Sequence, residues 1–133
     1  MIQERVKIIG WKKNIPIIYL KEFEKQTVET TNLLWDEVEV LANEKPFYLI
    51  ADVSNSAPPS AEVRRLVVER YTQIVDNLIC IYPYVGKKTL LRIALKFMIR
   101  AAQAKKVEFI RDIQEGLDKI KSDQQKLDVS KIE

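Results

Sequence analysis

The sequence predicts an α/β fold with a single mixed, mostly parallel β-sheet under helical cover, in the order β-β-α-β-α-β-α-β-α. Two short apolar runs, residues 47–53 and 78–85, are rich in aromatic and β-branched residues, which is typical of buried strands in such a sheet. Each run is followed by a polar loop and then by a segment whose apolar residues recur at helical spacing. Strands that alternate with helices after an opening hairpin favour one mixed sheet.

The opening hairpin is indicated by two stretches of strand length. Residues 5–9 alternate charged and apolar side chains, and residues 16–20 form a second apolar run. Gly10 and residues 12–14 lie between them and supply the turn. Trp11 stands at the bend, where we expect it to pack over one end of the core.

The next two helices are predicted from amphipathic spacing and from capping residues. Residues 27–43 repeat apolar side chains at intervals of three and four, with either Thr27 or Thr30 as the N-cap. Ser60 follows two prolines and precedes a second amphipathic segment that ends near residue 76. Since its hydroxyl can accept from the first free backbone amides, we expect Ser60 to be the N-cap of that helix.

Polar residues gather where the central strand ends. Ligands in open α/β folds usually bind at the carboxyl edge of the sheet, and each loop here follows a strand that should run parallel to its neighbours. The loop 52–60, the turn 86–89 and the pair Arg111 and Asp112 are therefore predicted to share one edge. The candidate ligand- or partner-binding residues are Asp52, Ser54, Asn55, Ser56, Ser60, Arg64, Lys87 and Lys88.

Two of these candidates have structural interpretations. Asp52 directly precedes a turn, so its carboxylate can accept from the backbone amides of Ser54 or Asn55 and hold the shape of the loop. Arg64 is projected onto the edge of the apolar face of its helix. Either its stem lies along that surface, or its guanidinium holds an anion near the Asp52 loop.

The helix predicted over residues 88–104 is apolar around most of its circumference. That arc is wider than one contact with a sheet needs. The helix is therefore wedged between layers, or part of it faces another subunit or an apolar ligand. The residues that we expect on such an apolar surface or cavity are Leu91, Leu95, Met98 and Ile99.

A basic row runs along the same predicted helix. It is formed at four-residue intervals by Lys88, Arg92, Lys96 and Arg100. Such a row is either the solvated side of the helix or a landing surface for anionic lipid or an acidic protein.

The end of the chain contains a short predicted strand over residues 107–110 and a helix over residues 113–121, which Asp112 can cap. The remaining residues are polar, and no secondary structure is assigned to them. The length of 133 residues, without a linker or an internal repeat, indicates one domain over residues 1–121 and a polar C-terminal tail over residues 122–133.

The composition argues against several classes of function. There is no histidine, and the lone Cys80 lies within an apolar run, which excludes imidazole-based catalysis, zinc sites with histidine ligands and an internal disulfide. A formal charge of +3 does not indicate nucleic-acid binding. The turn that begins at Gly86 is not a phosphate-binding loop, because Ile81 stands where that motif needs a glycine. We therefore expect no catalytic residues, no metal and no cofactor.

The cellular location is inferred from two absences in the sequence. The N-terminus lacks the uninterrupted apolar core of a secretory signal, and no apolar run approaches the length of a membrane span. We therefore expect a cytoplasmic protein without a transmembrane segment.

Two stretches of the chain carry a family resemblance. They are Tyr48-Leu49-Ile50-Ala51-Asp52-Val53-Ser54, followed by a helix that ends near Glu69-Arg70-Tyr71-Thr72-Gln73-Ile74, and Val107-Glu108-Phe109-Ile110-Arg111-Asp112-Ile113-Gln114-Glu115-Gly116-Leu117. Both are similar to the SpoIIAA-like branch of the STAS family, the anti-sigma-factor antagonist fold, which is also likened to Sec14-type lipid-binding domains. Regulated members carry a phosphorylatable serine at the start of the helix after this turn. Ala61 and Glu62 stand there instead, so the resemblance implies an STAS-like module without the usual phosphorylation switch.

Two functions are consistent with these observations. The first is a non-enzymatic, STAS-like interaction or regulatory module. Its partner is either another protein or a second copy of the chain, with which it forms a homodimer. The second is the binding or sensing of a small apolar or lipid-like ligand, at an anionic membrane surface if the basic row is used. An open cavity beneath the helix 88–104 favours the second function, and a packed core favours the first. An enzyme that uses Asp52 with Lys87 or Lys88 is disfavoured, because such pairs are usually surface ion pairs.

Overall fold

The sheet is mixed and mostly parallel, as predicted. The computed structural model describes the backbone of residues 2–132 and the side chains of residue 2 and residues 4–122. Within this part of the chain one sheet has the strand order β1-β2-β3-β4, with β1 antiparallel to β2 and the other two pairs parallel. Its strands are β1 (Val6–Lys12), β2 (Ile15–Lys21), β3 (Phe47–Asp52) and β4 (Leu78–Tyr84).

The helices depart from the predicted element order at both ends of the chain. They are α1 (Ile2–Arg5), α2 (Val28–Ala42), α3 (Ala61–Ile74), α4 (Thr89–Ala102) and α5 (Ile113–Ile132). The short α1 was not predicted, and the backbone of α5 continues to Ile132 instead of ending at residue 121. The predicted strand 107–110 is reduced to two parallel bridges, Ile81 to Val107 and Tyr84 to Ile110, at the free side of β4.

The predicted N-caps are present at α2 and α3. Thr27 and Thr30 act together, because each side-chain oxygen accepts from the backbone amide of the other, at 3.1 and 3.0 Å. This reciprocal arrangement is a capping box. The Ser60 hydroxyl accepts from the amide of Val63 at 3.2 Å, as expected of the N-cap of α3.

The hairpin is longer than the sequence indicated, and the expectation for Trp11 is wrong. The register of β1 against β2 shifts between Ile8 and Gly10, and pairing then continues through Trp11 to Lys12. Trp11 is 61 % exposed and does not cover the core. A bulge inserts a residue into a strand and changes which side chains face the core, and periodicity alone does not locate it.

Hydrophobic clusters lie on opposite faces of the sheet, because successive strand residues point to opposite sides. Leu49 on β3 belongs to the cluster that packs against α2 and α3, whereas its neighbours Tyr48 and Ile50 belong to the cluster beneath α5. The approach of α5 is close at Gly116, where a Cβ would lie 2.9 Å from the Cδ1 of Ile110 and would force that side chain to shift. The sheet is thus covered by helices on both sides.

The buried Arg70 links α3 to α2. Its guanidinium donates to Asn32 Oδ1 at 2.9 Å and to Asp36 Oδ1 at 2.8 Å, and it also pairs with Glu39. A buried charge is tolerated where it is paired and hydrogen-bonded. This ion pair network therefore orients the two helices on one face of the sheet.

Candidate functional site

The predicted loops meet at one edge of the sheet. Asp52 at the end of β3 pairs with Lys21 of β2 on one side and with Tyr84 of β4 on the other. Beyond this row, a Cβ at Gly86 would lie 3.5 Å from the Cβ of Ser54. Because Ile110 lies beside Tyr84, the pair Arg111 and Asp112 also follows at this edge. The prediction that these three segments share the carboxyl edge is confirmed.

Asp52 has the structural contacts that its position predicted. Its Oδ1 accepts from the backbone amide of Ser54 at 3.1 Å and from the Ser54 hydroxyl at 2.7 Å. Its Oδ2 accepts from the Tyr19 hydroxyl on β2 at 2.7 Å, a contact that the sequence did not indicate. Burial, together with this hydrogen bond, raises the pKa of Tyr19 above its ordinary value, so the phenol stays a donor. Asp52 therefore ties β2 to the loop that follows β3.

Several other predicted residues also serve the loop itself. Ser56 is fully buried and donates to the carbonyl of Phe23 at 2.6 Å, and Ser60 caps α3. Arg64 donates to the carbonyl of Pro59 at 2.8 Å, a contact that supports the loop before α3. Lys87 is exposed on the turn before α4.

Asn55 and Lys88 line a polar groove at the carboxyl edge. The other residues along this groove are Arg5, Lys21, Glu22 and Glu24. Arg5 lies over the Phe23 ring, 3.9 Å from its centroid, and donates to the carbonyls of Lys21 and Glu22 at 3.3 and 3.1 Å. Lys88 donates to the carbonyl of Ser56 at 3.2 Å. The structure thus joins two predicted residues to four that sequence reasoning missed.

Glu22 is the unusual member of this groove, because only 4 % of it is exposed. Burial raises the pKa of its carboxyl from 4.5 to about 7, although a hydrogen bond of 3.4 Å from the Phe23 amide and the charge of Arg5 oppose the shift. The alternation of side chains along β2 could have indicated that Glu22 is buried. Ile18 and Leu20 belong to the core, and Glu22 is the next residue in that series.

Apolar cavities lie between α4 and the sheet in the described part of the chain. Two neighbouring cavities, each of about 70 Å³, share a lining of Trp35, Val67, Ile81, Pro83, Leu95 and Met98. Ile99 borders one of them, and Leu91 borders the other together with Glu22 and Gln26. All four residues predicted for an apolar cavity, Leu91, Leu95, Met98 and Ile99, therefore line this space.

The basic row does not form a single solvated stripe. Lys88 is engaged by Ser56, and the guanidinium of Arg92 lies over the Phe109 ring, 5.0 Å from its centroid. Lys96 and Arg100 are exposed. Beside them α4 also exposes apolar side chains, namely Leu90 (72 %), Ile93 (46 %) and Phe97 (63 %). The outward side of α4 is therefore both basic and apolar.

The sequence matches no protein-family model, and no curated protein matches it. The resemblance to the STAS family stays a prediction. Within the described residues, no helix combines the length and the apolar character that a membrane crossing requires.

We predict that Asp52→Ala lowers the free energy of unfolding by about 1–3 kcal/mol, since it leaves the partly buried donors of Tyr19 and Ser54 without an acceptor. Tyr19→Phe should have a smaller effect, because it removes one of these hydrogen bonds. Tyr84→Phe is the matched control. Tyr84 lies opposite Asp52 in the sheet, but the hydrogen bonds to the Asp52 side chain come from Tyr19 and Ser54. Urea unfolding measures all three. A stable Asp52→Ala variant that has lost a binding activity would contradict the structural role.

We also predict a pH dependence of stability from Glu22. Below pH 4.5 the carboxyl is protonated in both the folded and the unfolded chain, whereas between pH 4.5 and about 7 only the folded chain keeps the proton. Stability should therefore fall as the pH rises through this window, by as much as about 3 kcal/mol. Unfolding should be measured across this window of pH. Glu22→Gln should remove the pH-dependent fall in stability, and Glu24→Gln, at an exposed position, should keep it. An unchanged pH profile for Glu22→Gln would refute the assignment.

Proposed function

We propose that the protein is a non-enzymatic binding module that holds a small apolar ligand between α4 and the sheet. The pair of apolar cavities beneath α4 is the observation that supports this function. Protein interiors are normally close-packed, and ligand sites are typically apolar pockets with few polar groups. The space beneath α4 has this character, with Glu22 and Gln26 as polar residues in its lining.

The attachment of α4 is consistent with ligand entry. In this helix, all of whose residues are described, only Leu91 and Met98 are buried. Its N-cap position is Lys88, which supplies no side-chain hydrogen bond to the first turn. Because no side chain caps its first turn, this end of α4 has fewer stabilising hydrogen bonds than the capped starts of α2 and α3. We infer that a ligand enters beneath the first turns of α4.

The size of the cavities restricts the ligand. Each volume of about 70 Å³ is several times what one water needs, and a lining that is almost wholly apolar favours apolar molecules over water. A cavity of about 150 Å³ in another protein holds benzene. The ligand is therefore a short alkyl chain or a single ring, or the corresponding end of a larger molecule.

The contacts of Asp52 and Lys88, which were considered as a catalytic pair, are also consistent with a non-enzymatic role. The Asp52 carboxylate is engaged by Tyr19 and Ser54, and the ammonium of Lys88 binds the carbonyl of Ser56 instead. A general base must be able to reach a substrate proton. Asp52 and Lys88 are instead used to hold the loop.

We predict that hexanol binds beneath α4 and that filling the cavity prevents it. Ala102 lines one cavity, so Ala102→Leu should weaken hexanol binding by at least about tenfold and leave stability unchanged or slightly increased. Ala94→Leu makes the same change on α4 at a position outside the cavity lining and should bind as the wild type does. Titration followed by backbone amide NMR measures affinity and location together. Equal binding by both variants, or shifts away from α4, would contradict the proposal.

A second candidate function, the interaction module, is favoured by the outward faces of two helices. In α2, Leu33 and Val40 are exposed beside the acidic residue Glu29, and Asp36, which pairs with Arg70, is also exposed there. The exposed apolar residues of α4 lie instead beside Lys96 and Arg100. These two faces are complementary in charge, whereas two copies of the α4 face would repel each other. We propose that α2 of one chain contacts α4 of a second copy, which is a heterologous form of the predicted self-association.

We predict that two variants that do not self-associate restore each other. Phe97→Glu disables the α4 face and Val40→Lys disables the α2 face, so each variant alone should be monomeric. Their equimolar mixture should form a dimer through the two intact faces, which analytical ultracentrifugation detects. A wild-type chain that stays monomeric at all concentrations would exclude this contact.

A membrane role for the outward face of α4 is tested by a separate measurement. Retention by anionic vesicles that is lost in Lys96→Glu/Arg100→Glu would assign this face to a lipid surface instead. These two residues are the appropriate pair for charge reversal, because reversing Arg92 would also remove its contact with Phe109.

A further inference from the structure

The polar groove and the apolar cavity share one residue at the carboxyl edge of the sheet. Glu22 follows β2 directly, and its backbone amide donates to the carbonyl of Asp52 at 2.9 Å. On one side it lines the apolar cavity beneath α4, and on the other it lines the groove with Arg5, Lys21 and Lys88. A molecule that occupies both spaces must pass this carboxyl.

We propose that this edge binds an amphiphilic anion, whose apolar tail lies beneath α4 and whose anionic head lies in the groove, with Glu22 as a proton-dependent gate between them. This inference rests on the proposed apolar ligand site and names the chemistry of the rest of the ligand. It assigns a function to Arg5, Lys21, Glu22 and Lys88 as one site.

The charges along the groove favour an anionic head. Three cations, Arg5, Lys21 and Lys88, line the groove, and the acidic residues that accompany them are Glu22 and Glu24. When Glu22 is neutral, the cations face one carboxylate, so the groove carries excess positive charge. Arg5 and Lys88 donate to backbone carbonyls, which fixes their position without neutralising their charge.

The protonation of Glu22 sets the size of that excess, because ionisation of Glu22 leaves the three cations facing two carboxylates instead of one. The charged groups around Glu22 are Arg5 from α1, Lys21 from β2, Glu24 from the following loop and Lys88 at the start of α4. Asp52 on β3 is adjacent, but its carboxylate is held by Tyr19 and Ser54. An ionised Glu22 repels an anionic head and requires hydration at the mouth of an apolar cavity. A bound anion therefore favours the protonated carboxyl, and binding takes up a proton.

The gate is consistent with the position of Glu22 in the core. The carboxyl is almost completely buried, and its pKa of about 7 places the change of charge near neutral pH. Small changes of pH around neutrality therefore change the affinity for the anion. Below that pH the neutral carboxyl admits the tail and the head together.

Hexanesulfonate is a suitable probe, because its head stays ionised whenever Glu22 titrates. We expect it to bind more tightly than hexanol at about pH 5.5 and to lose at least about tenfold in affinity by about pH 8.5. Inorganic sulfate, which has the charge without the tail, should bind much more weakly than hexanesulfonate. Isothermal titration calorimetry gives each affinity. The dependence of the measured binding enthalpy on the ionisation enthalpy of the buffer gives the number of protons taken up on binding.

Matched variants separate the head from the gate. Lys21→Gln should weaken hexanesulfonate several-fold without changing hexanol binding, whereas Lys87→Gln, outside the groove lining, should change neither. Glu22→Gln should bind hexanesulfonate as the wild type does at low pH and should lose the pH dependence, while Glu24→Gln should keep it.

The possible failures are distinguishable. If hexanol binds but hexanesulfonate binds no more tightly, the anionic head site is refuted and the apolar site stands. If Glu22→Gln keeps the pH dependence, Glu22 is not the gate. If neither hexanol nor hexanesulfonate binds, both the gate and the proposed function are wrong.

Discussion

The hydrogen bonds to the Asp52 carboxylate hold together the edge of the sheet on which both proposed ligand surfaces depend. They join Tyr19 of β2 to the turn at Ser54, while the carbonyl of Asp52 accepts from the amide of Glu22. One residue therefore fixes where β2 ends and where the following loop begins. The groove lies between these two segments, so its geometry follows from a contact whose own role is structural.

The helix α4 has apolar residues on both its inward and its outward side, and the space beneath it is not fully packed. Leu91 and Met98 anchor the inward side, and Leu90 and Phe97 lie exposed on the other. A helix that only covered a sheet would have one apolar stripe. We propose that the inward side of α4 binds a ligand and the outward side binds a partner, which would account for apolar residues that a single contact leaves unexplained.

The parts of the fold that could be predicted from sequence depend on local signals. The Phe47–Asp52 strand and the Ser60 cap are encoded by adjacent residues, so apolar runs and capping chemistry were sufficient. The register shift between Ile8 and Gly10 and the reduction of the strand 107–110 to two bridges depend on pairing between distant segments, which periodicity does not show. Glu22 was missed for a related reason. A glutamate in a charged stretch is normally exposed, and only the alternation of β2 places it inside.

The most direct test of the central claim is whether the space beneath α4 accepts an apolar atom in the folded protein. A crystal structure determined under xenon pressure measures this without assuming the identity of the ligand, because xenon enters dry apolar cavities. We expect xenon density between α4 and the sheet, in contact with Trp35, Leu95 and Met98, and no such density in Ala102→Leu at the cavity that this residue lines. A wild-type structure in which those side chains pack together and xenon does not bind beneath α4 would contradict it.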